Sequence, residues 1–248
     1  MAVNVTDLMR IPVSNTALSW AAYTALKKYP HTYMGTRRRT DMEKLDNLFQ
    51  GDVAKSALIE YLQSQGVTIS QEYDRIRTDN FVNPNSLGYH FIANQSKIEC
   101  NSSLMPAGHT RVTAIDKDIK ITAGDGTRIW TYPLAHHFDI AVQMYFDTNT
   151  TGITNQYNRQ QIIVMSNQVQ SPDDPIITTI LAGLNAQNRF TNNLLGYGWA
   201  TKNDVEQFRL HNEAHGIREY WNYTGNTRTY WNCKIYDTNP FRTLHTNV

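Results

Sequence analysis

The spacing of apolar residues predicts two helices near the start of the chain. Apolar side chains recur every three or four residues from Ser14 to Tyr29 and again from Asp41 to Gln65, which is the period of an amphipathic helix. Ser14 or Asn15 can cap the first helix, and Gly66 is typical of a residue that ends the second. We expect the apolar stripe of each helix to pack against the core.

A β-hairpin is predicted next, where the helical period gives way to shorter runs. Tyr89–Ala93 is rich in aromatic and aliphatic residues, and a turn-like Asn-Gln-Ser sequence separates it from a second strand. Successive side chains of a strand point to opposite faces. Lys97, Glu99 and Asn101 therefore share one face, which is either the solvated side of a half-buried hairpin or a functional surface.

Further β-forming runs follow the hairpin. They predict strands at Val112–Thr122, Phe138–Phe146 and Ile162–Met165. Asp139 and Gln143 share a face of the second of these strands. Leu194–Val205 is typical of a strand that leads into a helix. Together these elements predict an α/β fold with a mixed central β-sheet flanked by helices.

Composition narrows the class of protein without fixing its partner. The chain has 248 residues and no linker-like stretch, so we expect a single domain over residues 1–248. Its formal net charge of +1 neither requires nor excludes nucleic acid. Two cysteines without metal-site spacing indicate buried thiols in a reducing compartment. With no long apolar run and no signal-peptide pattern, we expect a soluble, cytoplasmic protein that has no membrane partner.

Two basic segments are candidates for contact with nucleic acid. Arg37, Arg38 and Arg39 are adjacent, and three guanidinium groups near a turn can hold phosphates, although a solvated charge cluster explains them equally well. Arg228 lies among tyrosine and tryptophan residues near the C-terminus, a mixture that suits nucleic-acid contact as well as a final strand covering the core.

The hairpin resembles the core of the PD-(D/E)xK nucleases, the restriction-endonuclease-like family. There the second strand carries an acidic residue, any residue and a lysine, often followed by two small hydroxyl residues, and the first strand carries an aspartate. Glu99 is kept in this sequence, Asn101 and His90 stand at the lysine and aspartate positions, and two serines follow Asn101. The helix around Asp52 is similar to the one that precedes the family's hairpin.

The resemblance implies a restriction-endonuclease-like fold and a partner, double-stranded DNA, bound by a homodimer. It implies a nuclease-like core over about residues 41–147 and a C-terminal extension over about 148–248 for DNA contact. Catalysis in the family is Mg²⁺-dependent phosphodiester hydrolysis. By resemblance, the catalytic residues are Asp52, His90, Glu99 and Asn101, and the Mg²⁺ ligands are Glu99 and Asp52.

Two of the three signature positions are changed, so we expect an inactive or weakened nuclease. Histidine and asparagine supply neither the hard oxygen ligand nor the mobile cation that the chemistry needs. Whether the chain is an enzyme is left open by the sequence. A second hypothesis is a non-enzymatic structural or assembly protein, for instance of viral origin, because the chain is nearly neutral and rich in asparagine and tyrosine.

Overall fold

The computed structural model describes most of the chain. It covers residues 3–32, 41–82, 88–122, 138–147, 153, 156–186, 190, 193–215 and 230–248. Arg37, Arg38, Arg39 and Arg228 lie outside the described residues, so their predicted role in nucleic-acid contact stays a prediction. Within the described part of the chain, no helix combines the length and apolar character needed to cross a bilayer.

The described residues form six α-helices and nine strands, with short 3₁₀ turns between them. The helices are α1 Asn15–Lys28, α2 Asp41–Ser64, α3 Tyr73–Ile76, α4 Arg159–Gln168, α5 Pro175–Ala186 and α6 Lys202–Ala214. The strands are β1 Met9–Ile11, β2 Ile69–Glu72, β3 Phe91–Ala93, β4 Ser96–Leu104, β5 Asp118–Thr122, β6 Ile140–Phe146, β7 Leu194–Thr201, β8 Tyr230–Lys234 and β9 Asn239–Pro240.

A mixed sheet of seven strands organises the described structure. Its strand order is β1-β7-β6-β4-β3-β2, and β9 also pairs with β7. Strand β4 runs parallel to β6, whereas the other pairs in this sheet are antiparallel. Strands β5 and β8 form a separate antiparallel pair. The predicted α/β class with a mixed central sheet flanked by helices is confirmed.

Each face of the sheet contributes to a different apolar cluster. Ile98 and Met144 belong to the cluster that also contains buried side chains of α1, α2 and α5. Ala141 and Tyr145 lie on the opposite face of β6 from Met144 and belong to the cluster that contains Val205 of α6. The sheet is therefore covered on both sides, and polar side chains on either face need partners.

The two early helices match their predictions. The Ser14 hydroxyl accepts a hydrogen bond from the Ala17 amide at 2.9 Å, so Ser14 caps α1. Helix α2 ends at Ser64, and Gly66 adopts a φ of 84°, a left-handed conformation that favours glycine. The hairpin and the β7–α6 transition are confirmed as well.

Two predicted strands are wrong in whole or in part. Residues 162–165 lie within α4, where Asn158 and Gln161 form a capping box and Ile163 and Val164 face solvent. In Val112–Thr122 only the last five residues form a strand, because Thr113–Asp116 is a 3₁₀ turn. Hydrogen bonds between Thr110 and Thr113 stabilise that turn.

We predict that Gly196→Ala destabilises the protein and that Gly51→Ala does not. A Cβ at Gly196 would lie 2.4 Å from the Phe241 ring, which is fully buried, whereas a Cβ at Gly51 in α2 meets nothing within 4 Å. Overpacking costs about 1–3 kcal/mol, and alanine in a helix interior gains about 0.5–1 kcal/mol over glycine. Urea unfolding of both variants tests this, and equal stabilities would contradict the packing of Phe241 on β7.

Candidate functional site

The β3–β4 hairpin brings His90 next to Glu99. Phe91 pairs with Ile98 in the antiparallel register, and the amide of His90, just before β3, donates to the same Ile98 carbonyl at 2.8 Å. Phe91 and Ile98 face the helices, so Glu99 and Asn101 face the opposite side of β4. The contact with Glu99 places His90 beside this polar face.

His90 and Glu99 are in close contact. The His90 Nδ1 atom lies 3.2 Å from Glu99 Oε2 and accepts a hydrogen bond from the Cys100 amide at 3.1 Å. An Nδ1 atom that accepts from an amide carries no proton, so the hydrogen of the neutral imidazole is on Nε2.

The electrostatic environment agrees with this proton arrangement. Burial, helped by the charge of Lys55, lowers the pKa of His90 to about 4. Burial raises the pKa of Glu99 to about 8. Both shifts favour the uncharged side chains at neutral pH. Glu99 is then a carboxylic acid and not the carboxylate that a hard cation prefers.

Asn101 lies beside Gln143 of the neighbouring parallel strand. The two residues are partners in the β4–β6 register, and Gln143 is only 3% exposed. Asn101 Nδ2 and Gln143 Oε1 are both buried and have no hydrogen-bond partner. Asp139, which was expected to share the face of Gln143, precedes β6 and accepts the Lys97 amide at 2.8 Å. The polar row on this face is thus Glu99, Asn101 and Gln143.

Asp52 belongs to a buried network of charged residues on the neighbouring helix. Its Oδ1 atom lies 2.8 Å from Lys28 Nζ and 3.2 Å from Lys55 Nζ. Lys28 also pairs with Asp74 at 2.8 Å, and Lys55 pairs with Asp74 and lies 3.9 Å from Glu72. The network joins α1, α2 and the β2–α3 corner.

The pKa shifts in this network reflect both burial and the nearby opposite charges. Lys55 is 2% exposed, and burial alone would lower its pKa, but Asp52, Asp74 and Glu72 together raise it. Lys55 and Lys28 outweigh the effect of burial on Asp74 and hold its pKa below the usual range. Lys55 and Asp74 are therefore stabilised mainly by their opposite partners, whereas burial outweighs those partners at Glu72 and raises its pKa.

The site residues predicted by resemblance are only partly brought together. His90 and Glu99 are in contact, and Asn101 follows on the same strand face. The Asp52 carboxylate is hydrogen-bonded to Lys28 and Lys55. It is still close enough to His90 to affect the pKa of the imidazole. Among the described residues, no three His, Cys, Asp or Glu side chains are arranged to hold one metal ion. The donor set of a histidine, a protonated glutamate and an amide fits Mg²⁺ poorly.

Sequence reasoning missed the partners of Asp52. Lys55 follows it by one turn in a mostly apolar stretch of α2, and every residue from 52 to 59 is buried. A lysine in such a stretch requires an acidic partner from another element, and this signal was present in the sequence. Glu72 and Asp74 appeared to lie in an alternating charged loop, so nothing local distinguished them from solvated residues.

We predict that Asp74→Asn destabilises the protein at neutral pH and much less in acid. Lysine pairing depresses the folded-state pKa of Asp74, so its stabilisation is present above about pH 4 and is lost as the pH falls through the folded-state value. We expect a loss of about 3 kcal/mol at neutral pH, the lower end for a broken buried pair, because Lys55 keeps two other carboxylates.

Chemical unfolding measured at several pH values tests this. The control is Asp173→Asn, which alters an exposed carboxylate and should change stability by less than about 0.5 kcal/mol. A difference between Asp74→Asn and wild type that grows as the pH falls would contradict the assigned network.

Comparisons of the chain with protein-family models, curated proteins and solved structures found no match. The resemblance to restriction endonucleases therefore depends on the hairpin residues and on the α/β architecture alone.

Proposed function

We propose that this chain is a DNA-binding protein with a restriction-endonuclease-like fold and a degenerate active site. The observation that carries the proposal is the contact between His90 and Glu99 across the hairpin. These residues stand at the aspartate and acidic positions of the family signature, and such a signature requires both on one face. Side chains on opposite faces would have been incompatible with it.

The order of elements supports the same proposal. A long helix with an inward acidic residue is followed by a short strand, a hairpin and then a strand parallel to β4. Helices cover the sheet on the side of Ile98 and Met144. This arrangement agrees with the architecture that the resemblance implies, from α2 through β6.

In the proposed site, His90 would contact DNA as a neutral donor. In the described structure its Nδ1 atom accepts a hydrogen bond from the Cys100 amide. The hydrogen of the uncharged ring is therefore on Nε2, and 33% of the side chain is exposed. Nε2–H is suited to donate to a phosphate oxygen, and protonated Glu99 adds no negative charge to repel that phosphate.

The proposed partner is duplex DNA, bound by a homodimer whose twofold axis matches a palindromic site. Arg37, Arg38, Arg39 and Arg228 would contribute phosphate contacts. Mg²⁺-dependent hydrolysis would be weak or absent, because burial raises the pKa of Glu99 and the aspartate and lysine are replaced. Light scattering measures the assembly state. Large particles that do not bind DNA would favour an assembly protein instead.

We predict salt-sensitive binding to duplex DNA in the absence of Mg²⁺. Each phosphate contact releases counterions, so the logarithm of the affinity should fall with the logarithm of salt by about 0.9 per contact. Fluorescence anisotropy in chelator at several salt concentrations measures the slope. Triple replacement of Arg37, Arg38 and Arg39 by Gln should reduce it. The absence of binding at low salt would contradict the DNA-binding proposal.

We predict that His90→Asp combined with Asn101→Lys produces Mg²⁺-dependent DNA cleavage. Aspartate adds an oxygen ligand, and lysine adds a cation two residues from Glu99 on the same strand face. Each single change should have little effect, because such residues act as a unit.

A plasmid-nicking assay with and without chelator measures cleavage by this double variant. The triple variant that also carries Glu99→Gln controls for contaminating nuclease and should be inactive. Failure of a folded, DNA-binding and Mg²⁺-binding double variant to cut diverse duplexes would contradict the assignment of this site as a degenerate nuclease centre.

A further inference from the structure

We propose that His211 and His215 at the end of α6 form a bidentate site for a borderline divalent cation such as Zn²⁺, Ni²⁺ or Cu²⁺. The pair is separate from the hairpin site and does not depend on the proposed function. The two residues are one helical turn apart, and residues at this spacing are neighbours on one face of a helix. Their ring centroids lie 4.3 Å apart with an interplanar angle of 37°.

A backbone contact fixes the ring of His215 in a ligating tautomer. Its Nδ1 atom lies 2.8 Å from the His211 carbonyl oxygen, and its backbone amide donates to the same oxygen at 3.2 Å. A carbonyl only accepts hydrogen bonds, so Nδ1 carries the hydrogen and Nε2 keeps its lone pair. Histidine ligands of metal ions commonly donate their second ring nitrogen to a backbone carbonyl in this way, which sets the ring orientation and makes Nε2 more basic.

The surroundings favour a cation and leave it accessible. Both histidines are exposed, so a hydrated ion can approach and keep water as its remaining ligands. The site lies at the C-terminal end of α6, where the helix dipole places a partial negative charge. Imidazole nitrogen is a ligand for Zn²⁺, Ni²⁺ and Cu²⁺, whereas Mg²⁺ and Ca²⁺ prefer oxygen. Two imidazole ligands therefore favour Zn²⁺, Ni²⁺ or Cu²⁺ over Mg²⁺ and Ca²⁺.

The ion would link the last turn of α6 to the residue that follows it. Helix α6 begins with reciprocal hydrogen bonds between Thr201 and Asp204, which secure its first turn. Val205 anchors the helix in the core. A metal bridge between His211 and His215 would hold the opposite end, and an ion that binds only the folded helix raises its stability by mass action.

Calorimetric titration of the untagged, chelator-treated full chain with NiCl₂ or ZnCl₂ at neutral pH tests the proposal. We expect one ion per chain, with affinity lowered at least about tenfold by His211→Gln or His215→Gln. His31→Gln, which changes another exposed histidine, should bind as wild type does, and MgCl₂ should not compete. Circular dichroism confirms that each variant is folded.

Electron paramagnetic resonance of the Cu²⁺-loaded wild-type chain gives a readout that needs no variant. Two nitrogen ligands that are both lost in the His211→Gln, His215→Gln double variant would support the site. The proposal is overturned if the chain binds none of these ions, or if the double variant binds them as tightly as wild type.

Discussion

The register of the β3–β4 hairpin is the constraint on which the candidate site depends. Side chains alternate along a strand, so a slip of one residue would move Glu99 into the apolar cluster beneath the helices and bring Ile98 to the opposite face. The turn opposes such a slip. Asn94 adopts a φ of 51° there, and its side chain accepts the Thr68 amide at 3.1 Å and donates to the Val248 carbonyl at 2.9 Å. Few residues other than asparagine combine this backbone conformation with both contacts.

The charged network beside the hairpin imposes a second constraint. Lysine and aspartate side chains removed from water are costly unless their partners are well placed. Lys28 and Lys55 each contact Asp52 and Asp74, so α1, α2 and the β2–α3 corner have to meet in one geometry. Apolar contacts alone tolerate small sliding motions, whereas these ion pairs are directional. We infer that the network sets the position of α2 relative to the β2 edge, and hence the electrostatic environment of His90.

The sequence was most informative where local chemistry decides structure. The cap at Ser14, the glycine at 66 and the alternation in Ser96–Leu104 were sufficient to predict α1, α2 and the hairpin. The strand predicted for residues 162–165 was wrong because an apolar run of four fits a strand and a helix equally well. The cap at Asn158 starts a helix that includes these residues. The participation of Lys28 and Asp74 in the network of Asp52 could not be predicted, because they are 24 and 22 residues away from Asp52 in sequence and join it only through tertiary packing. The raised pKa of Glu99 likewise follows from burial, which no local pattern reports.

In the proposed nuclease-like site, positions 90 and 101 are physically coupled through Glu99. Burial is the cause that raises the pKa of Glu99, with no opposing contribution from a nearby cation. A lysine at 101 would supply that contribution and favour the carboxylate. An aspartate at 90 without this lysine would instead place a second carboxyl against a buried acid, where like charges raise the pKa of at least one of them. A lysine at 101 without the aspartate would favour the Glu99 carboxylate but leave it without a second carboxylate ligand for Mg²⁺. The effect of each substitution therefore depends on the other through the charge of Glu99.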